Sequence, residues 1–133
     1  MKFRHLNFSG HTIAGSMPDN QKTGARGEKL AAEYLQQKGY RILEQNWRSG
    51  RLEIDIIAEQ NNILVFVEVK TRSTDYYGYP EESVTDTKQE HILKAAEDYV
   101  ILHNISNEIR FDIVSVIINP NFEKIYHIED AIS

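Results

Sequence analysis

Glu53, Asp55, Glu68 and Lys70 are the residues of this chain best suited to chemistry, three carboxylates and an ammonium set into two otherwise apolar runs, Leu52 to Ala58 and Ile63 to Thr71. Both runs read as strands. In the first, apolar and acidic residues alternate, with Glu53, Asp55 and Ile57 on one side, the period-two pattern of extended chain. In the second, Leu64, Phe66, Glu68 and Lys70 share one side and Ile63, Val65, Val67 and Val69 the other, so both faces read as mostly buried. Gln60-Asn61-Asn62 separates the runs, and asparagine tolerates the positive backbone angles of a tight hairpin. A two-residue loop at Asn61-Asn62 sets Gln60 opposite Ile63. Counting outward then sets Asp55 opposite Glu68 and Glu53 opposite Lys70.

Directly opposed residues hold their Cβ atoms roughly 5 Å apart, and like charges so placed are destabilising. A cation between Asp55 and Glu68 removes the conflict. Mg2+ or Mn2+ suits two hard carboxylates better than zinc does, because the chain has no cysteine and no histidine lies near the hairpin. Lys70 projects from the same face, one pleat beyond Glu68. Such a set suits metal-assisted hydrolysis of a phosphodiester, in which the cation polarises the phosphate and activates water while Lys70 orients that water or offsets developing charge. Glu53 either completes the metal shell or pairs with Lys70, and the pairing is the expectation. The plainer reading is a solvent-facing sheet whose charges pair across strands. The apolar faces of Ile63 to Val69 weigh against it, because they mark an interior strand with acids at its end.

The surrounding elements must position these groups. Residues 1–20 carry no periodicity and read as a flexible tail, leaving 21–133 as one domain. Thr23 to Lys38 is helical in pattern, with Leu30, Ala31, Tyr34 and Leu35 as the apolar stripe and Gly39 as the stop. Glu28 falls on that stripe, where it either favours the helix dipole or points its carboxylate at the site. Tyr40 to Trp47 reads as a first strand and Ser49-Gly50-Arg51 as a turn into the acidic hairpin. The segment from Ser73 to Pro80, with Tyr76, Tyr77 and Tyr79, reads as a loop near the site. A second helix runs from Thr85 or Asp86 to Leu102, burying Ile92, Ala95, Ala96, Tyr99 and Val100. Strands from Ile109 to Ile118 and from Lys124 to Ile128 follow, separated by Asn119-Pro120-Asn121. Helix, three strands, helix, two strands is the order of an α/β protein with a mixed central sheet flanked by helices.

With 133 residues and a net charge of −5, the chain suits one domain and does not suit a protein that grips nucleic acid over its whole surface. A local basic rim is compatible with that charge. Arg26, Arg48, Arg51, Arg72 and Lys88 are candidates for phosphate contacts, Arg72 the best placed of them, and Tyr77 and its neighbours could stack on unpaired bases. The absence of an apolar membrane span or a signal-peptide pattern points to the cytoplasm. His5, His11, His91, His103 and His127 show no ligand spacing, which argues against a zinc enzyme. Arg110 and Asp112 alternate on one strand face and read as a structural pair.

Asp55, a gap of twelve residues and Glu68-Val69-Lys70 resemble the PD-(D/E)XK nuclease superfamily. The likeness extends to Gly24-Ala25-Arg26-Gly27-Glu28, Ala31, Tyr34-Leu35, Gly39-Tyr40, Asn46, Glu53-Ile54-Asp55, Val65 to Arg72, Gly78-Tyr79-Pro80, Lys88 and Arg110-Phe111-Asp112. Together these residues resemble the small bacterial YraN-like family of predicted nucleases, related to archaeal Holliday-junction resolvases. Ile54 stands where the superfamily's name has proline, and Leu52 where the family carries glycine. The resemblance implies a restriction-endonuclease-like fold and a catalytic set of Asp55, Glu68 and Lys70, with Glu28 as a further acid. It also implies DNA as substrate, branched or flapped structures included, and a homodimer as one assembly to test. Two rivals remain. One is a nucleic-acid-binding module that keeps the fold without turnover, and the other is a protein-interaction subunit.

Overall fold

Asn61 and Asn62 both take left-handed backbone angles (φ 53° and 63°), and the two-residue turn they form pairs Gln60 with Ile63 as the sequence requires. The computed structural model describes residues 2–6, 19–73 and 85–132. Its elements are β1 (Lys2–Leu6), α1 (Asp19–Gln37), β2 (Arg41–Ser49), β3 (Leu52–Gln60), β4 (Ile63–Arg72), α2 (Asp86–Leu102), β5 (Glu108–Ile118) and β6 (Glu123–Ile128). The α/β class and the flanked mixed sheet are as expected. Within the segment read as a tail, Lys2–Leu6 form an edge strand on β6, and α1 begins four residues earlier than its periodicity indicates.

The six strands lie in the order β1-β6-β5-β4-β3-β2. All neighbours are antiparallel except β4 and β5, which run parallel because α2 crosses over between them. Gly39 (φ 92°) ends α1, with the Tyr40 N–H reaching back to the Leu35 carbonyl and the Gly39 N–H to that of Gln36. Thr85 caps α2, its hydroxyl accepting from the Lys88 N–H at 3.2 Å.

The two faces of the sheet carry separate cores. Leu30, Ala31, Tyr34 and Leu35 of α1 pack on Val65, Val67, Val69, Val114, Val116 and Ile125. On the other face Ala95, Ala96 and Tyr99 of α2 pack on Ile54, Ile57, Leu64 and Phe66, and Ile92 packs on Ile113. Each fully buried aliphatic side chain of this kind contributes about 1.5–3 kcal/mol relative to exposure.

Two departures from the sequence reading shape the site. The β3–β4 pairing ends at Ile56–Val67, so the expected oppositions of Asp55 with Glu68 and of Glu53 with Lys70 do not form. Beyond that point β3 continues along β2, and β4 along β5. Alternation in β3 also breaks. Ile54 and Ile57 enter the α2-side core while Ile56 enters the α1-side core, so Ile57 is not on the side of Glu53 and Asp55. Across from Asp55, between the paired Gln45–Ile56 and Trp47–Ile54, Asn46 takes a left-handed φ of 52°.

Candidate functional site

The parting of β3 from β4 leaves backbone donors without a ladder partner, and Asp55 fills the gap. Its Oδ2 accepts from the Val69 N–H at 2.8 Å, a bond a neighbouring strand's carbonyl would otherwise make. Asp55 thereby bridges the two strands at the point where they separate. α1 brings the next acid. Gly27 of α1 lies so close to β4 that an added Cβ would stand 2.0 Å from Thr71 Oγ1, and this approach delivers Glu28 to the sheet. Carboxylate oxygens of Glu28, Glu53 and Asp55 lie within 4.8 Å of one another, and all three residues are half-buried. Among the described residues, this is the one group of three or more acids or histidines close enough to hold a metal ion.

Glu68 is buried beside this group, with Lys88 of α2 3.4 Å from its Oε1. Burial pushes the Glu68 carboxyl up to about 7, the Asp55 charge adds to the rise, and Lys88 and Lys70 oppose it. Burial also raises Asp55, tempered by the Val69 N–H, by Lys88 and by a hydrogen bond with Glu68. Glu28 is raised by desolvation first and then by Asp55 and Glu53. Glu28, Glu53 and Asp55 offer hard carboxylate oxygens close enough together to hold a metal ion, with Glu68 beside them.

Glu53 does not have the expected lysine partner. It pairs with Arg48, directly across on β2, at 2.8 Å, and it joins the acidic group as well. The signal for this pair was present in the sequence, because a two-residue turn at Gly50-Arg51 sets Ser49 opposite Leu52 and Arg48 opposite Glu53. Arg26, read as a phosphate contact, has its guanidinium on Glu123 of β6, with Nε 3.2 Å from Oε1. Arg51 is exposed in the turn and Arg72 is half-buried at the end of β4. Tyr77, with the rest of the loop it was placed in beyond Ser73, lies outside the described residues.

Arg110 and Asp112 do form a structural pair, and it is larger than a pair. Arg110 donates twice to Asp112 at 2.8 Å and once to the Tyr40 hydroxyl at 2.6 Å. His127 Nε2 lies 2.7 Å from the same carboxylate, and its Nδ1 lies 3.2 Å from Lys38 Nζ. Lys38 has only protons to give, so Nδ1 accepts and Nε2 donates to Asp112. Burial alone would raise the Asp112 carboxyl, but His127, Arg110 and the Asp130 N–H outweigh it and hold it below its ordinary value. This network belongs to the α1-side core, with Tyr34 and Tyr40 edge-on to the His127 ring.

Residues 27–116 match the model of a family described as uncharacterised protein family UPF0102. A UPF0102 protein of Flavobacterium psychrophilum is 48% identical over 115 residues, covering 86% of this chain and 97% of that protein. Another, of Caldanaerobacter subterraneus, is 47% identical over 117 residues, covering 84% and 96%. Among solved structures, Pyrococcus furiosus SfsA in complex with Ca2+ is similar at 17% identity with a TM-score of 0.33, covering 86% of this chain and 65% of that one.

Proposed function

The chain belongs to the UPF0102 family, the YraN-like family of predicted nucleases in the restriction-endonuclease-like superfamily, and on that footing we propose that it is a divalent-metal-dependent nuclease hydrolysing DNA phosphodiester bonds. The observation that carries the reading is the convergence of Glu28, Glu53 and Asp55 beside Glu68, where two central strands part. Asp55 and Glu68 would hold Mg2+ or Mn2+, with Glu28 as a further acid. Bound there, the cation supplies polarisation of the scissile phosphate and a lowered pKa for water.

The chain's own residues do the rest. Asp55 is held in orientation by the Val69 N–H, which fixes the direction of its carboxylate. Lys70, on the face of β4 that carries Glu68, orients the attacking water or balances charge developing on the phosphate. Lys88, Arg72 and Arg51 contact flanking phosphates, and Tyr77 stacks on an unpaired base. Arg26, tied to Glu123, is the weakest member of that set. Branched or flapped DNA is the substrate class we favour, the cytoplasm the location, and a homodimer the assembly that a two-stranded junction would require. Among the described residues, no helix is long and apolar enough to cross a membrane.

The test is cleavage of labelled linear, single-stranded, flapped and four-way-junction DNA with Mg2+, Mn2+ or EDTA, comparing the native chain with Lys70→Ala. Metal-dependent cutting that the substitution reduces by at least about a hundredfold supports the enzyme. Gel shifts without cutting on any substrate would replace it with a binding module.

A further inference from the structure

Ser115 is a buried polar group of β5 with no role in the chemistry above. It is fully buried, and its Oγ has no hydrogen-bond partner among the described residues. Ile113 and Ile117, which flank it on the same face, are also fully buried. A fully buried hydroxyl without a partner among the described residues needs an explanation, and a nearby donor would supply one.

Its register supplies one. β4 and β5 run parallel with Lys70 paired to Ser115, and residues paired in this way point to one face of the sheet. The adjacent pair Val69 and Val114 obeys the rule, both entering the α1-side core. Ser115 therefore stands beside the root of the Lys70 side chain, on the face that also carries Glu68. Neighbouring strands are about 4.8 Å apart, a span that a four-carbon stem folds across without strain. A lysine is a flexible point charge, and a fixed acceptor at its root would narrow the positions its ammonium visits.

We propose that Ser115 is a positioning residue for Lys70, its Oγ accepting one hydrogen bond from the Lys70 ammonium and aiming the other two N–H groups at the acidic gap. A hydroxyl has two acceptor lone pairs and an ammonium three donors, so the bond leaves Lys70 free to serve water or phosphate as well. The proposed contact does not depend on the reaction, whereas its effect on cleavage rests on the nuclease reading.

The experiment compares the native chain with Ser115→Ala and Ser115→Thr by two readouts. The first is the NMR resonance of the Lys70 ammonium, assigned by its loss in Lys70→Arg and recorded with and without Mg2+. The second is steady-state cleavage of the preferred DNA. The expected result is a Lys70 resonance displaced in Ser115→Ala and restored in Ser115→Thr, with a kcat loss of about tenfold or more at unchanged KM. A Lys70 resonance indifferent to Ser115 in both conditions overturns the proposal, as does an activity loss matched by a lower melting temperature with that resonance unmoved. A Ser115-dependent resonance in a chain that cuts no DNA supports the positioning contact and removes the nuclease reading instead.

Discussion

At the scale of the residue, ionising Glu68 is costly because it is buried against a second acid, and the cost has a sign that can be measured. Its carboxyl titrates at about 7 in the folded chain against 4.5 ordinarily, so between those values the native state holds a proton that the unfolded chain has released. Stability is therefore fully present below about pH 4.5 and is lost as pH rises through about 7. The melting temperature of the metal-free protein should fall across that window, and millimolar Mg2+ should reverse the fall at its upper end. Glu68→Gln should make the metal-free pH dependence shallower, leaving the contributions of Asp55 and Glu28, and should weaken the Mg2+ response, as circular dichroism melts in EDTA and in Mg2+ would record. A melting temperature rising with pH in EDTA would refute this account. The acids themselves were legible in the sequence because carboxylates in an apolar strand have no cheap explanation. The bond of Asp55 to the Val69 N–H was not legible, since it exists only because two strands separate.

At the scale of the element, α1 must lie almost against β4 for Glu28 to reach the other acids, and Gly27 is what permits it. A Cβ at position 27 would meet Thr71 at 2.0 Å from Oγ1 and 2.9 Å from Cβ and Cγ2. Gly27→Ala is therefore expected to push α1 off the sheet at a cost of about 1–3 kcal/mol. Divalent-cation affinity should weaken beyond what the stability loss alone explains, because Glu28 moves with the helix. Thr71→Ala in the same chain should recover part of both, and titration calorimetry with Mn2+ beside thermal melts would show it. The hairpin register could be read as far as Ile56–Val67 because two asparagines with left-handed angles allow one loop length. The end of that register, and the broken alternation after Asp55, could not. They follow from β3 staying with β2 while β4 stays with β5, a competition between non-local pairings that no window of residues displays.

At the scale of the whole molecule, the α/β order was readable from the change between helical and strand periods, but the partners of distant residues were not. Asp112 and His127 are 15 positions apart and meet only because β5 and β6 pair, with Arg110, Tyr40 and Lys38 completing the group. β1 escaped notice for a similar reason, since a short edge strand takes its order from β6 more than from its own pattern. Among the described residues no strand lies beyond β2, the other rim of the sheet, and this has a further consequence, for solubility. An uncovered strand offers its free N–H and C=O groups to any other extended chain. Here the strand is interrupted midway by the left-handed Asn46, and Arg41 and Arg48 hold largely exposed charges along it. Such an edge is a poor template. Asn46→Val, which resists the left-handed angle and straightens the strand, should raise light scattering on mild heating more than its melting temperature accounts for. The same kink that accompanies Asp55 would then also keep copies of the protein from joining into a continuous sheet, leaving any dimer to form through another surface.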